Sequence, residues 1–205
     1  MDTPLIVVTG PIASGKSVVA RVMAERGGVL LDADDLAHEA LEDRRFAREL
    51  AGEFGPEVLV RGRVSRLRLA GIVFMDQRKL DRLNRLIRPS VKRIVRERIS
   101  SLQGAAPYIV LDALLFFQYK FRFKPDLSVR TDAPEEVRIR RMMRRDGFTR
   151  EEALQRIERQ RPLSRDWERA DVTIDTDAPI GRVRAEAARL RDEFLGGRGS
   201  WRRKR

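Results

Sequence analysis

The chain contains no cysteine and a single histidine, His38. Disulfides, catalytic thiolates and cysteine–zinc sites are therefore excluded, and His38 is expected on a helix surface rather than in catalysis. No apolar run approaches the roughly 18 residues that a membrane helix needs. The amino terminus lacks a basic n-region and a small-residue cleavage site, so no secretory signal is expected. Its apolar run, Leu5-Ile6-Val7-Val8, stops at Thr9. Nowhere does an Asn-Lys-x-Asp motif for guanine recognition occur, which turns the nucleotide preference toward adenine. Acidic residues are fewer than basic ones, 31 against 43, giving a net charge of +12. Such an excess suits anionic partners without identifying them. With 205 residues, 42% of them hydrophobic, one domain with a substantial core is expected in the cytoplasm.

What is present begins with Gly10-Pro11-Ile12-Ala13-Ser14-Gly15-Lys16-Ser17. The stretch follows an apolar strand and precedes the periodic apolar residues Val18, Val19, Val22 and Met23. It matches G-x-x-x-x-G-K-[ST] in the strand–loop–helix setting that the pattern requires. Backbone amides of the loop and of the first helical turn point at an anion, with the helix dipole behind them. Lys16 is placed to reach the β- and γ-phosphates and the Ser17 hydroxyl to hold Mg²⁺. ATP and Mg²⁺ are thus the expected cofactors.

Along the chain, a helix is expected from about Lys16 to Glu25, stopped by Gly27-Gly28, then a short strand Val29-Leu30-Leu31. Asp32, Asp34 and Asp35 follow it, at the carboxyl end of a strand, where open α/β sheets gather their sites. One of them can serve as general base toward an acceptor hydroxyl, and Asp34 or Asp35 can cap the helix Leu36–Leu41. Residues 44–104 read as helical without a strand, with a break at Arg88-Pro89. Tyr108–Asp112 reads as a central buried strand ending in a Walker-B-like acid, and Leu127–Thr131 as another. A helix starting with Pro134 near its first position carries Ile139, Met142 and Met143 on one face and Arg138, Arg141 and Arg145 on the other. Gly147 ends it and Arg150–Gln160 forms a second helix. An arginine-rich helical pair of this kind suits a lid over phosphates. Val172–Ile174 closes the sheet and Ile180–Phe194 the chain's helical end. Residues 196–205, glycine-rich and basic, read as a disordered tail.

The order of these features resembles the dephospho-CoA kinase family. The likeness runs from about Leu5 to Arg191. It is carried by the phosphate loop, by Asp32-Ala33-Asp34 with Ala37-His38, and by Ser65-Arg66-Leu67-Arg68-Leu69 with Val73-Phe74. Leu83-Asn84 with Arg88-Pro89, Leu114-Leu115-Phe116, Arg141 through Gly147 with Gln160, and Ala170 through Asp175 complete it. The resemblance implies a P-loop kinase-like α/β fold: a parallel sheet flanked by helices, core 1–43 and 105–195. A helical acceptor-binding insertion at about 44–104 and an arginine-rich lid at about 134–168 would join it. It implies transfer of the γ-phosphate of ATP to the ribose 3′-hydroxyl of dephospho-CoA. Asp34 would act on the hydroxyl, with Asp32 and Arg66 at the acceptor. Lys16 and Arg141 would assist catalysis, and Arg145 would join the phosphate loop at the nucleotide. The chain departs from the family's usual pattern at Pro11 and Ala13, at Phe117 in place of an acid, at Arg88 and at Thr176. A related kinase with another hydroxyl acceptor is the alternative, and a nucleotide-regulated nucleic-acid-binding protein a further one. Small molecules are the expected partners, nucleic acid and membrane are not, and a monomer or weak oligomer is expected.

Overall fold

A computed structural model describes residues 3–73 and 76–197. Phe74 of the family-like motif, and the tail from Arg198 on with Trp201, lie outside the described residues. The chain forms two compact units, one from the residues before Asp32 together with those from Leu102 on, the other Asp32–Ser101.

The first unit is organised on β1 (Leu5–Thr9), all five residues of which are buried. After the phosphate loop comes α1 (Lys16–Ala24), then β2 (Val29–Asp32). The chain returns to this unit with β5 (Ile109–Asp112), a short α6 (Phe116–Tyr119) and β6 (Leu127–Asp132). Helices α7 (Glu135–Asp146), α8 (Arg150–Gln160) and α9 (Ser164–Trp167) precede β7 (Val172–Asp175) and α10 (Ile180–Gly196). The strand order is β2-β5-β1-β6-β7, parallel along β5, β1, β6 and β7. Strand β1 lies in the middle of the sheet, and β5, expected as a central buried strand, is an interior strand beside it with all four residues buried. That placement sets Thr9 level with Arg130 and Val8 level with Asp112, so three carboxyl-terminal strand ends meet around the loop.

Alternation along β1 and β6 turns Ile6, Val8, Leu127 and Val129 to one face. There they pack with Val19, Val22 and Met23 of α1 and Val183, Ala187, Leu190 and Phe194 of α10. Each fully buried aliphatic or aromatic side chain of this kind contributes about 1.5–3 kcal/mol. That cluster fixes α1, and hence the first turn that faces the phosphate, against the sheet.

The second unit contains α2 (Ala33–Leu41), α3 (Arg44–Phe54), a hairpin of β3 (Leu59–Val60) and β4 (Arg63–Val64), α4 (Arg66–Val73) and α5 (Gln77–Ser101). The hairpin corrects the strandless reading of this region. Arg61 (φ 51°) and Gly62 (φ 76°) form its two-residue turn, both with the positive φ such a turn needs. A second correction concerns Pro89, which sits inside a continuous α5 rather than breaking it. Burial of Ile87, Val91, Ile94 and Val95 holds both halves of that helix in line.

Candidate active site

The phosphate loop is a strained, well-anchored turn. Gly10 has φ 141°, and a Cβ there would stand 2.4 Å from the Thr131 carbonyl oxygen. Only glycine lets β6 approach so closely. Gly15, at φ 83°, caps α1 in the left-handed region, and Ala13 also has a positive φ of 60°. Ser14 is fully buried and shares a 2.6 Å hydrogen bond with the Thr131 hydroxyl, tying the loop to β6. The Ser14 amide donates to the Pro11 carbonyl (3.2 Å) and the Ile12 amide to Gln160 Oε1 (2.8 Å). The amides of Ala13, Gly15, Lys16 and Ser17 then have no acceptor among the described residues. They form a concave row of donors at a helix amino terminus, which is an anion nest. Pro11 and Ala13 therefore leave the nest intact. Pro11 gives up only an amide, and the Ala13 methyl packs with Ile12 against the lid.

The segment expected as a lid forms the packed pair α7 and α8. Ile139 and Met142 are buried against Ala153 and Ile157, and Ile12, Ala13 and Phe148 close over them. Met143, expected in the same apolar stripe, is instead 42% exposed. The buried stripe needs only positions 139 and 142, because α8 crosses there and the loop fills the remainder. Pro134 is the amino-terminal cap of α7, one place earlier than expected. Arg141 donates to the Ala13 carbonyl (3.1 Å), the Thr176 hydroxyl (3.0 Å) and the Thr176 carbonyl (2.6 Å). Burial lowers its pKa, so three acceptors compensate a guanidinium taken partly out of water. Thr176 is 2% exposed; its hydroxyl also lies 2.8 Å from the Ser14 carbonyl and 3.0 Å from that of Asp132. It joins loop, sheet and α7. Ala13, Gly15, Val18, Arg141, Arg144, Arg145, Thr176, Ala178 and Ile180 line a cavity of about 560 Å³ beside this joint. Arg145 at its rim makes two bonds to Asp146, at 2.8 and 2.9 Å, which raise its pKa.

Lys16 forms an ion pair with Asp112, whose side chain is 2% exposed at the end of β5. Ser17, one residue on, is exposed to the mouth of the nest. Among the described residues no three acids or histidines form a metal-holding group. A small hard cation that arrives with phosphate oxygens and needs one or two protein oxygens fits Ser17 and Asp112, whereas a dedicated cage would not.

The acidic stretch differs from expectation in its cap. Asp32 is the amino-terminal cap of α2, its Oδ1 accepting from the Asp34 amide at 2.8 Å. The cap expected of Asp34 or Asp35 is thus made by Asp32, and the exposed Asp34 carboxylate is not spent on it. Asp32, Asp34 and Arg66 belong to the second unit, Arg66 exposed at the first residue of α4. The loop residues Gly10 to Ser17 come together with Arg141 and Arg145 in the first unit. Thr131 and the Ile12-bonding role of Gln160 were not anticipated, since neither contact leaves a sequence signature.

The sequence model described as dephospho-CoA kinase matches residues 4–181. The chain belongs to the dephospho-CoA kinase family. A dephospho-CoA kinase of Carboxydothermus hydrogenoformans is 38% identical over 186 residues, 89% of this chain and 90% of that one. A Thermus thermophilus protein of known crystal structure superposes with a TM-score of 0.72 at 34% identity, covering 93% of this chain and 97% of its own. The dephospho-CoA kinase of Campylobacter jejuni shares the fold at a TM-score of 0.64 and 23% identity, covering 95% and 99%. As a family member the chain is a P-loop kinase, with the parallel five-stranded sheet flanked by helices expected of one. No helix among the described residues is long and apolar enough to cross a membrane.

Proposed function

We propose that the chain phosphorylates the ribose 3′-hydroxyl of dephospho-CoA with Mg·ATP, yielding coenzyme A and ADP. The observation that carries this reading is the nest of unpaired amides with Lys16 at its head, in a chain matched to the family over residues 4–181. The amides of Gly15, Lys16 and Ser17 hold the β-phosphate. Lys16 leaves Asp112 for the bridging region between the β- and γ-phosphates, where charge builds up during transfer. The base occupies the cavity lined by Val18, Ala178 and Ile180, with Thr176 and Arg141 fixing its wall. Arg141 thereby acts on catalysis through the loop, and Arg145 contributes a cation at the cavity rim. Asp34 accepts the hydroxyl proton as the ribose oxygen bonds to the γ-phosphorus and the bond to the bridging oxygen breaks. Asp32 holds the Asp34 amide, and Arg66 contacts the anionic acceptor. Ser17 and Asp112 would hold Mg²⁺, which supplies charge neutralisation on the phosphates.

The deciding experiment is a coupled ADP-release assay with dephospho-CoA as acceptor. Wild type should turn over only with Mg²⁺ present. Lys16→Met and Asp34→Asn should each lower kcat by about 10²–10⁴-fold with little change in the acceptor KM. Wild-type turnover in both variants would refute the mechanism, and a better acceptor in a panel of nucleosides and nucleotides would redirect the function to another hydroxyl.

A further inference from the structure

Strand β6 carries an arginine that neither the family motifs nor the core requires. Leu127 and Val129 face the α1–α10 cluster, so alternation turns Ser128 and Arg130 to the opposite face of the sheet. Arg130 is level with Thr9, the residue that enters the phosphate loop, on the neighbouring strand. Its Nη2 pairs with Asp132 Oδ2 at 2.6 Å, but its Nε is buried without a partner. Arg138, on the first turns of α7, is the second member. Its side chain makes no hydrogen bond or ion pair with any described residue, and its Nε is also buried and unpaired. Burial lowers the Arg138 pKa first of all; Asp132 and Glu135 oppose that effect, and Arg130 adds to it. Arg130, Asp132 and Arg138 therefore form one electrostatic group.

Of the two guanidinium groups only that of Arg130 bonds the Asp132 carboxylate, whose other oxygen accepts from the Ala133 amide at 3.1 Å, so Arg138 is left with Asp132's charge but not its oxygens. Glu135 is engaged elsewhere, 3.7 Å from Arg161. A buried cationic donor without an acceptor costs more than almost any other polar defect. A bound anion's oxygens would supply the missing acceptors. Arginine pairs present forked donors that match phosphate oxygens. The nucleobase cavity includes Val183, which belongs to the cluster on the other face. Arg130 thus stands beside the loop on the sheet face turned away from the base, and Arg138 follows it in the first turn of α7.

We propose that Arg130 and Arg138 form a second anion subsite that takes the diphosphate of the acceptor. The inference rests on the kinase reading above. It follows from acceptor chemistry: the hydroxyl to be phosphorylated shares a ribose with a 5′-diphosphate, so an anion must be held within one sugar's length of the transferred phosphate. Asp132 orients Arg130 and tempers the positive charge of the pair.

The test is steady-state kinetics of Arg138→Met and Arg130→Met, with Arg130→Lys to keep the charge but not the fork. At saturating Mg·ATP, the KM for dephospho-CoA should rise tenfold or more in both methionine variants. The KM for ATP should stay within twofold, and Arg130→Lys should recover only part of the loss. An unchanged acceptor KM, or a rise confined to ATP, overturns the subsite. Binding of inorganic pyrophosphate to enzyme preloaded with a non-hydrolysable ATP analogue separates this inference from the function beneath it. If wild type binds pyrophosphate and Arg138→Met weakens it tenfold, the subsite stands even where dephospho-CoA proves not to be the acceptor. If wild type does not bind it, or both bind equally, the subsite is refuted whatever the acceptor. Circular dichroism of each variant shows whether a loss reflects the subsite or the fold; a variant that does not fold is replaced by Arg138→Gln, for which the same outcomes decide.

Discussion

At Gly10, a single hydrogen atom decides the geometry of the site. A methyl group there would meet the Thr131 carbonyl at 2.4 Å and the Thr131 hydroxyl oxygen at 2.7 Å, both on a central strand that cannot retreat. Gly10→Ala should therefore push the loop off β6, break the Ser14–Thr131 bond and cost about 2–4 kcal/mol. Urea unfolding measures that cost, and a nucleotide-binding titration should show ATP affinity lost along with it. Thr176 offers a gentler probe. Its hydroxyl accepts from Arg141 and lies within bonding distance of the Ser14 and Asp132 carbonyls, so Thr176→Val keeps the shape and removes the joint. Leaving buried partners unpaired costs about 1–3 kcal/mol. The ATP KM should rise several-fold while the acceptor KM holds; equal effects on both substrates would show that Thr176 does more than shape the nucleotide side.

Among the elements, the α7–α8 pair shows how local signals fix a functional part. Gly147 ends α7 in the left-handed region, and Thr149 and Glu152 form a reciprocal capping box that starts α8. Arg156 then lies 3.7 Å over the Phe148 ring, stiffening the turn. Thr149→Ala should cost about 1 kcal/mol, read as a lower melting temperature. Because α8 presents Gln160 to the Ile12 amide, the same variant should also weaken ATP binding. A stability loss without any change in the ATP KM would show that the lid and the loop are not mechanically coupled. The helix Arg150–Gln160 and the phosphate loop were legible because punctuation and periodicity are local properties. The Arg61-Gly62 hairpin was equally local but too short to register against a helical background. Pro89 was misread because a proline's missing amide is a local cost, while the burial of Ile87 and Val91 that overrides it is tertiary. Lys16 with Asp112 and Ser14 with Thr131 are meetings of distant segments. Only strand order produces them, and no spacing in the chain announces it.

Taken as a whole, the molecule carries a net charge of +12, and both proposed substrates, ATP and dephospho-CoA, are anions. Charge of one sign raises the local concentration of oppositely charged ligands and speeds their capture, and salt removes that advantage over about 8–10 Å at physiological ionic strength. Much of the excess lies outside the described residues, in Arg198, Arg202, Arg203, Lys204 and Arg205. Among the described residues, Arg141, Arg144 and Arg145 line the cavity beside the phosphate loop, and Arg130 is level with Thr9 at the loop's entry. Cations at the cavity rim act on a ligand within a screening length of it. Raising KCl from about 50 to about 500 mM should therefore increase both KM values several-fold and leave kcat nearly constant, since the bound phosphates are held by short, partly buried contacts that salt screens weakly. A variant ending at Gly197 should show the same salt slope. A flattened slope in that variant would assign ligand capture to the tail. A steep, tail-dependent affinity for single-stranded RNA at physiological salt would give that basic segment a polymeric partner of its own.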